Sequence, residues 1–197
     1  MTEWRLPGGE TATTDRPWMR LERQPGFTQR AALVTGLARL VLHLKPYTAT
    51  VTDLGCGDGA MLAMLPLGVR KWGYELGEGD VLQGRRRGLD IRQKNIVTDA
   101  LEYGDVLIAS EVLEHLRDPV GFLRGLPDRL LIVSSPSAET GTWHNPVHSW
   151  AWDLSGFRDL LTRSGWRVLY QAEADGGTNT FAGVVGVQRF QAIVGAR

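Results

Sequence analysis

The chain has 197 residues, 43% of them hydrophobic and 22% charged, which suits one globular domain with its own core and excludes a disordered or fibrous protein. Its 22 Lys and Arg balance 22 Asp and Glu, so no global field draws it to an anionic membrane, and a nucleic-acid substrate would have to be gripped locally. A single Cys excludes a disulfide framework and a Cys-based zinc site, no apolar run reaches the ~20 residues of a membrane helix, and the start MTEWRLPGGE is unlike a signal peptide, so the cytoplasm is the expected compartment.

Residues 1–26 carry Pro7, Gly8, Gly9, Pro17, Pro25 and Gly26 and read as an irregular arm preceding one domain over 27–197. From Phe27 to Leu44, apolar residues recur at spacings of three and four (Leu33, Val34, Leu37, Leu40, Val41, Leu44), which predicts an amphipathic helix closed by Pro46. Short apolar runs then alternate with helical stretches: strands at 49–54, 69–76, 89–96, 105–110 and 129–135, with helices at AMLAML, through Arg87, and around VLEHL and VGFLRGL. Continuous apolar strands spaced by helices mark a sheet buried on both faces, hence a Rossmann-like, doubly wound α/β fold with a mostly parallel, seven-stranded sheet. An eleven-residue loop, GTWHNPVHSWA, precedes a helix at 153–164 with an Asp cap and a stop near Gly165. The tail reads as an antiparallel C-terminal hairpin turning at DGGTN. Its Gly- and Val-rich second half, 181–195, either completes the sheet or pairs with a second copy in a homodimer.

The strongest local signal is VTDLGCGDGAML at 51–62: a strand, a turn carrying Gly55, Gly57 and Gly59, then a helix. Glycines there let a ligand lie against bare main chain, and a helix N-terminus offers unpaired N–H groups. The pattern alone also fits an ordinary strand-to-helix turn. Asp53, two residues before the loop, would repel a dinucleotide's pyrophosphate but would attract a sulfonium or an ammonium. That disfavours NAD and favours S-adenosylmethionine. The next strand ends in Glu75, where this fold sets an acid against ribose hydroxyls.

DLGCGDG, the Glu75 strand end and VLIASEVLEHLRDP (106–119) together resemble the successive motifs of class I S-adenosylmethionine-dependent methyltransferases over roughly residues 50–135. The stretch YELGEGDVLQGRRRGLDIRQKNI is similar to the matching region of MetW-like proteins, whose pattern has an Asp twenty residues after the ribose-binding Glu; here that position is Asn95. In the family that side chain reads the adenine amino group, and an Asn carbonyl can accept the same hydrogen bond; Asp99 is the other candidate. The resemblance thus implies a cofactor site of Asp53, Gly55, Cys56, Gly57, Glu75, Leu76, Asn95, Ile96 and Ser110. Cys56 reads as a small filler rather than a nucleophile, since it adjoins acids that disfavour a thiolate. Arg85, Arg86 and Arg87 read as a solvated helix face.

The transferred methyl is expected past the end of the fourth strand, so Ser110 and EVLEHL should wall the acceptor pocket. Spacing on a helix would put Glu111, Glu114 and His115 on one face. This stretch resembles the ubiquinone-pathway O-methyltransferases and the small-RNA 2′-O-methyltransferases, associated with an ExxEH divalent-metal motif. That implies an alternative metal set of Glu111, Glu114, His115 and His148, suited to Mn²⁺, Fe²⁺ or Zn²⁺ more than Mg²⁺. Many relatives carry EVLEHL with no metal, and the preferred reading is none. The loop with Trp143, His144, His148, Trp150 and Trp152 suits a planar or sugar-like acceptor beside a base that titrates near neutrality. Here too the tryptophans can instead be core anchors.

The expected activity is S-adenosylmethionine-dependent methyl transfer to an O or N atom of a small-molecule acceptor, with His148, His144 or His115 as base. Two other readings stand beside it. One is an RNA 2′-O-methyltransferase-like enzyme with a divalent metal, though the chain lacks a basic surplus. The other is a non-catalytic, cofactor-binding module of MetW type serving a partner acyltransferase. The arm and first helix would form a lid over the cofactor.

Overall fold

The computed structural model describes residues 3–6, 26–44, 49–140, 143–181 and 184–197. Seven strands form one sheet: β2 (Thr50–Leu54), β3 (Arg70–Glu75), β4 (Ile91–Gln93), β5 (Val106–Ser110), β6 (Leu130–Pro136), β8 (Arg167–Phe181) and β9 (Val184–Ala196). Their order is β4-β3-β2-β5-β6-β9-β8. Pairs among β2 to β6 are parallel, and β9 runs antiparallel to both β6 and β8. The doubly wound, seven-stranded fold is therefore as the apolar rhythm predicts, and the tail completes the sheet through β9.

Five helices cover the sheet: α1 (Phe27–His43), α2 (Ala60–Met64), α3 (Glu78–Arg86), α4 (Pro119–Gly125) and α5 (Leu154–Arg163). Alternation along the strands divides the core in two. Val51, Ile108, Ile132 and Val194 meet Val34, Leu37 and Val41 of α1 on one face. Leu107, Leu131 and Ile193 meet Trp152, Phe157, Leu160 and Trp166 on the other. Asp153 caps α5 by accepting from the Gly156 amide at 2.7 Å, as the sequence predicts. The strand order reverses direction between β2 and β5, so the crevice at their carboxyl ends is where this architecture places a ligand.

Four local expectations are corrected. Part of the N-terminal arm is a strand: β1 (Glu3–Arg5) pairs antiparallel with β7 (Trp150–Trp152), itself read as loop. Trp152 there is fully buried, and Glu3 bonds both its indole N–H and Arg163. Residues 7–25, and Trp18 with them, lie outside the described residues. DGGTN is not the hairpin turn, because β8 runs through it to Phe181 with a bulge at Asp175–Gly177, where Gly177 takes φ 80° and its amide donates to Asp175 Oδ1. Glycine tolerates the left-handed conformation a bulge of this kind needs, so the strand continues. The fourth correction concerns VLEHL: no α-helix forms there, only a 3₁₀ turn over Leu113–His115.

Close packing under the glycine loop gives a direct test. A Cβ on Gly73 of β3 would overlap Cys56 Sγ and come 3.0 Å from Leu62 Cδ1, with both neighbours buried. Gly73→Ala is expected to destabilise the fold by about 1–3 kcal/mol, read as a lowered urea unfolding midpoint at unchanged slope.

Candidate functional site

β2 runs into a turn whose Gly55, Gly57 and Gly59 have φ of 77°, 53° and 74°, a region that strains other residues. The amides of Gly55 and Cys56 donate to the Tyr74 carbonyl at 2.9 and 3.0 Å, which ties the loop to β3. Val112 presses on the outside of Gly55, 2.7 Å from where a Cβ would sit. Beneath this bend Asp53 is buried, and neither of its carboxylate oxygens has a hydrogen-bond partner. Burial first, and then the charge of Glu75, push its carboxyl up to about 7. The Cys56 thiol is driven well above its ordinary range by burial and next by Asp53, consistent with a space-filling role.

Glu75 stands at the carboxyl end of β3. Its Oε2 accepts from the Gly57 amide at 2.9 Å, and its Oε1 from the amides of Leu76 and Gly77 at 2.7 and 2.9 Å. The side chain is thereby aimed across the glycine loop. Leu76 is exposed beside it, and Ile96 is half-buried. Asn95 Oδ1 accepts from the Val97 amide at 2.9 Å, while the Asn95 amide donates to Asp99 Oδ2 at 3.0 Å. The two adenine candidates thus brace one turn past β4. The arginine triplet is not simply a solvated face: Arg87 pairs with buried Asp58 at 3.0 Å, and Arg85 Nε donates to the Ile91 carbonyl at 2.8 Å.

Across the crevice, Ser110 ends β5 with its hydroxyl 2.8 Å from that of Ser134 on β6. Ser134 donates to Glu111 Oε1 at 3.0 Å, and Glu111 Oε2 faces Arg30 Nη1 of α1 at 3.6 Å. Glu111 has φ 57°, unlike any other non-glycine among the described residues, which is strained backbone at a strand end. Glu111 faces Arg30 and accepts from Ser134 from this kinked position, and because only a 3₁₀ turn follows at Leu113–His115 the expected shared helical face does not exist. Glu114, His115 and His148 do converge, with one ligand atom of each within 4.8 Å of the others. Neither oxygen of Glu114 has a hydrogen-bond partner, and the side chain is fully buried. The rings of His115 and His148 meet edge to face at 4.7 Å.

Two participants escaped the sequence reading. Glu139, just past β6, holds His148 Nδ1 at 2.7 Å through Oε2 and accepts from the Asn145 amide at 3.1 Å through Oε1. Its signal was position, since acids beyond a strand's carboxyl end line the crevice in this fold. Arg30 was detectable as a charge on the buried stripe of α1 that runs Phe27, Ala31, Val34, Leu37, Val41. His144 has its Nδ1 3.0 Å from the Thr140 carbonyl and lies within electrostatic reach of Glu139.

The acids outnumber their counter-charges. Burial raises Glu111 to about 7 against the opposing pull of Arg30. Burial and then Glu111 raise Glu114 well above the ordinary range. Burial likewise lifts Glu139 to about 7, opposed by the Asn145 amide and then His144. Each carboxyl holds its proton more tightly folded than unfolded, so the stability it contributes is present at acid pH and is lost as pH climbs from the ordinary carboxyl range through about 7. The ligand-free protein should therefore melt at lower temperature near pH 8 than near pH 5, because each such group removes roughly 1.4 kcal/mol of stability per pH unit between its unfolded and folded pKa. Glu114→Gln should flatten that slope in calorimetry.

Known proteins agree with this architecture. The family described as "Methionine biosynthesis protein MetW" matches residues 37–144. A ubiquinone biosynthesis O-methyltransferase of Ruegeria pomeroyi is 33% identical over 87 residues, 40% of this chain and 35% of the relative. Its namesake in Stutzerimonas stutzeri is 32% identical over 92 residues, 42% of this chain and 40% of the relative. The matched segment thus spans between a third and two-fifths of these relatives' length. Among solved structures, magnesium protoporphyrin IX methyltransferase from Synechocystis with bound SAM superimposes with a TM-score of 0.61 at 15% identity, over 91% of this chain and 86% of its own. A SAM-dependent methyltransferase from Aquifex aeolicus gives 0.63 at 16% identity, over 90% and 97%. With more than half its length matched by the family and with the sheet order and strand-end acids described above, this chain belongs to the MetW family and has the class I methyltransferase fold.

Proposed function

We propose that the protein is an S-adenosylmethionine-dependent methyltransferase acting in the cytoplasm on an O or N atom of a small-molecule acceptor. One observation carries the reading: Asp53 is a buried carboxylate with no partner on either oxygen, set beneath a loop of bare backbone. An uncompensated anion there calls for a cationic ligand and repels a diphosphate. A sulfonium nucleoside with an amino-acid tail supplies the cation. The SAM-bound Synechocystis enzyme shares the fold and supports the choice.

The chain's own residues then have distinct tasks. Gly55, Cys56 and Gly57 present main chain to the cofactor, and Glu75 takes its ribose hydroxyls. Leu76 and Ile96 flank the adenine, with Asn95 at its edge and Ser110 beside the sulfur. Methyl transfer is an in-line displacement in which the acceptor's lone pair forms the new bond to carbon and the C–S bond breaks toward sulfur. A hydroxyl or ammonium acceptor must also lose a proton. His148 is the base this site supports best, because Glu139 fixes its ring from Nδ1; His115 stands next to it, and His144 has its Nδ1 against the Thr140 carbonyl.

A second reading has its own observation. Glu114, His115 and His148 form a donor set of one orphaned carboxylate and two imidazoles, with Glu139 bonded behind His148 as an outer-shell carboxylate. These donors fit a borderline divalent ion such as Zn²⁺, Mn²⁺ or Fe²⁺. Such an ion would acidify an acceptor hydroxyl. Glu111, which faces Arg30 at 3.6 Å, stands outside this converging group. Small acceptors are favoured over RNA because the chain has no surplus of basic residues.

Titration calorimetry should show binding of S-adenosylmethionine and S-adenosylhomocysteine and none of NADH; indifference to both sulfur nucleosides would refute the reading. Asp53→Asn should weaken S-adenosylmethionine at least about tenfold, roughly 1.4 kcal/mol. Radiolabel transfer into a metabolite extract separates an enzyme from a binding module. His148→Ala should cut that transfer by about 10²-fold or more, and Glu139→Gln should shift its pH profile while sparing cofactor affinity. Transfer that survives chelation assigns the chemistry to the base, and transfer abolished by chelation and restored by Zn²⁺ or Mn²⁺ assigns it to the ion.

A further inference from the structure

Arg30 is buried at 6% exposure, yet its Nε has no hydrogen-bond partner. Its guanidinium lies over two aromatic rings, with the Phe27 and Phe190 centroids 5.6 and 5.5 Å from Cζ. A guanidinium stacked in this way makes its polar contacts through the N–H groups of its edge. One terminal nitrogen on that edge faces Glu111 at 3.6 Å, too long for a hydrogen bond.

The same place is the start of α1. This 17-residue helix has Gly26 as its N-cap, with no side-chain cap and no acid in its first turn, so its first amides lack an anion among the described residues. Gly26 abuts Phe190, the ring that covers the Arg30 guanidinium, which puts the buried cation at the helix end. Gln188 Oε1, also buried without a partner, lies 3.1 Å from where a Cβ on Gly26 would be. Turning that carboxamide over aims its N–H groups at the same point, since amide O and N interchange readily. Thr28 and Gln29 are exposed, so the helix end meets solvent.

We propose that Arg30 and the uncapped N-terminus of α1 form a subsite for a carboxylate carried by the methyl acceptor. A planar carboxylate matches the guanidinium edge side-on, through Nε–H and a terminal N–H. Glu111, one residue beyond Ser110, joins this subsite to the place where the methyl is delivered. The acceptor is then an organic acid whose nucleophilic O or N sits across Glu111 from its carboxylate. This rests on the methyltransferase reading only in naming the bound acid as acceptor; binding of the acid is tested without turnover.

The test is an NMR titration of the full chain following the Arg30 Nε–H resonance, assigned in the wild type by its through-space contacts with the Phe27 and Phe190 rings. Benzoate is the probe, with inorganic phosphate at matched ionic strength as the rival anion. Expected is a saturable shift with benzoate and little with phosphate. Arg30→Lys should bind benzoate about tenfold more weakly, as loss of a charge-assisted pair implies, and Glu111→Gln, which frees the guanidinium, more tightly. A wild-type resonance unmoved by benzoate, an equal response to phosphate, or full affinity in Arg30→Lys overturns the subsite. Because the wild-type titration decides alone, a variant that fails to fold does not blunt it. S-adenosylhomocysteine affinity, measured in parallel, reports on the methyltransferase reading separately.

Discussion

Buried carboxyl groups without an internal counter-charge are the constraint around which this molecule is organised. Asp53 lies under the glycine loop with both oxygens unpaired, and Glu114 lies past β5 in the same condition. An apolar side chain at either position would remove the desolvation cost. The fold retains both, at the carboxyl ends of the two strands between which the sheet changes direction. Stability is given up where a cationic ligand would restore it.

Holding such groups out of water requires a stiff frame. The sheet supplies it through β2 and β5, buried on both faces and packed against apolar layers from α1 on one side and α5 on the other. Stiffness also sustains the strained backbone of Glu111, whose positive φ would relax in a looser setting. Glu111 joins Ser110, Ser134 and Arg30, whereas Glu114 joins the histidines.

The long hairpin contributes more than a sheet edge. β9 pairs with β6 from Ala196 to Phe190 and then continues beyond it alongside β8. On this extension a Cβ at Gly186 would overlap Trp143, so the loop carrying His144 and His148 rests on the projecting strands. Phe190, where the extension begins, closes over Arg30. The tail of the chain, the first helix and the histidine loop therefore meet at one place, although they are far apart in sequence.

What the amino-acid order determined unaided was everything set by local rules. Apolar runs alternating with helical stretches specify a covered parallel sheet, the glycines of 55–59 specify a turn of bare backbone, and Asp53 and Glu75 are placed by their own strands. Composition and spacing could not reveal that Glu111 takes a positive φ and precedes no α-helix, because a 3₁₀ turn and an α-helix share the pattern LEH over three residues. They were equally silent on the partnership of Glu139 with His148 across a loop, and on the seating of Arg30 against Phe27 and Phe190 from opposite ends of the chain. Those contacts exist only once distant segments pack together. Long-range packing, not local preference, decides which buried charge finds a partner and which is left waiting for a ligand.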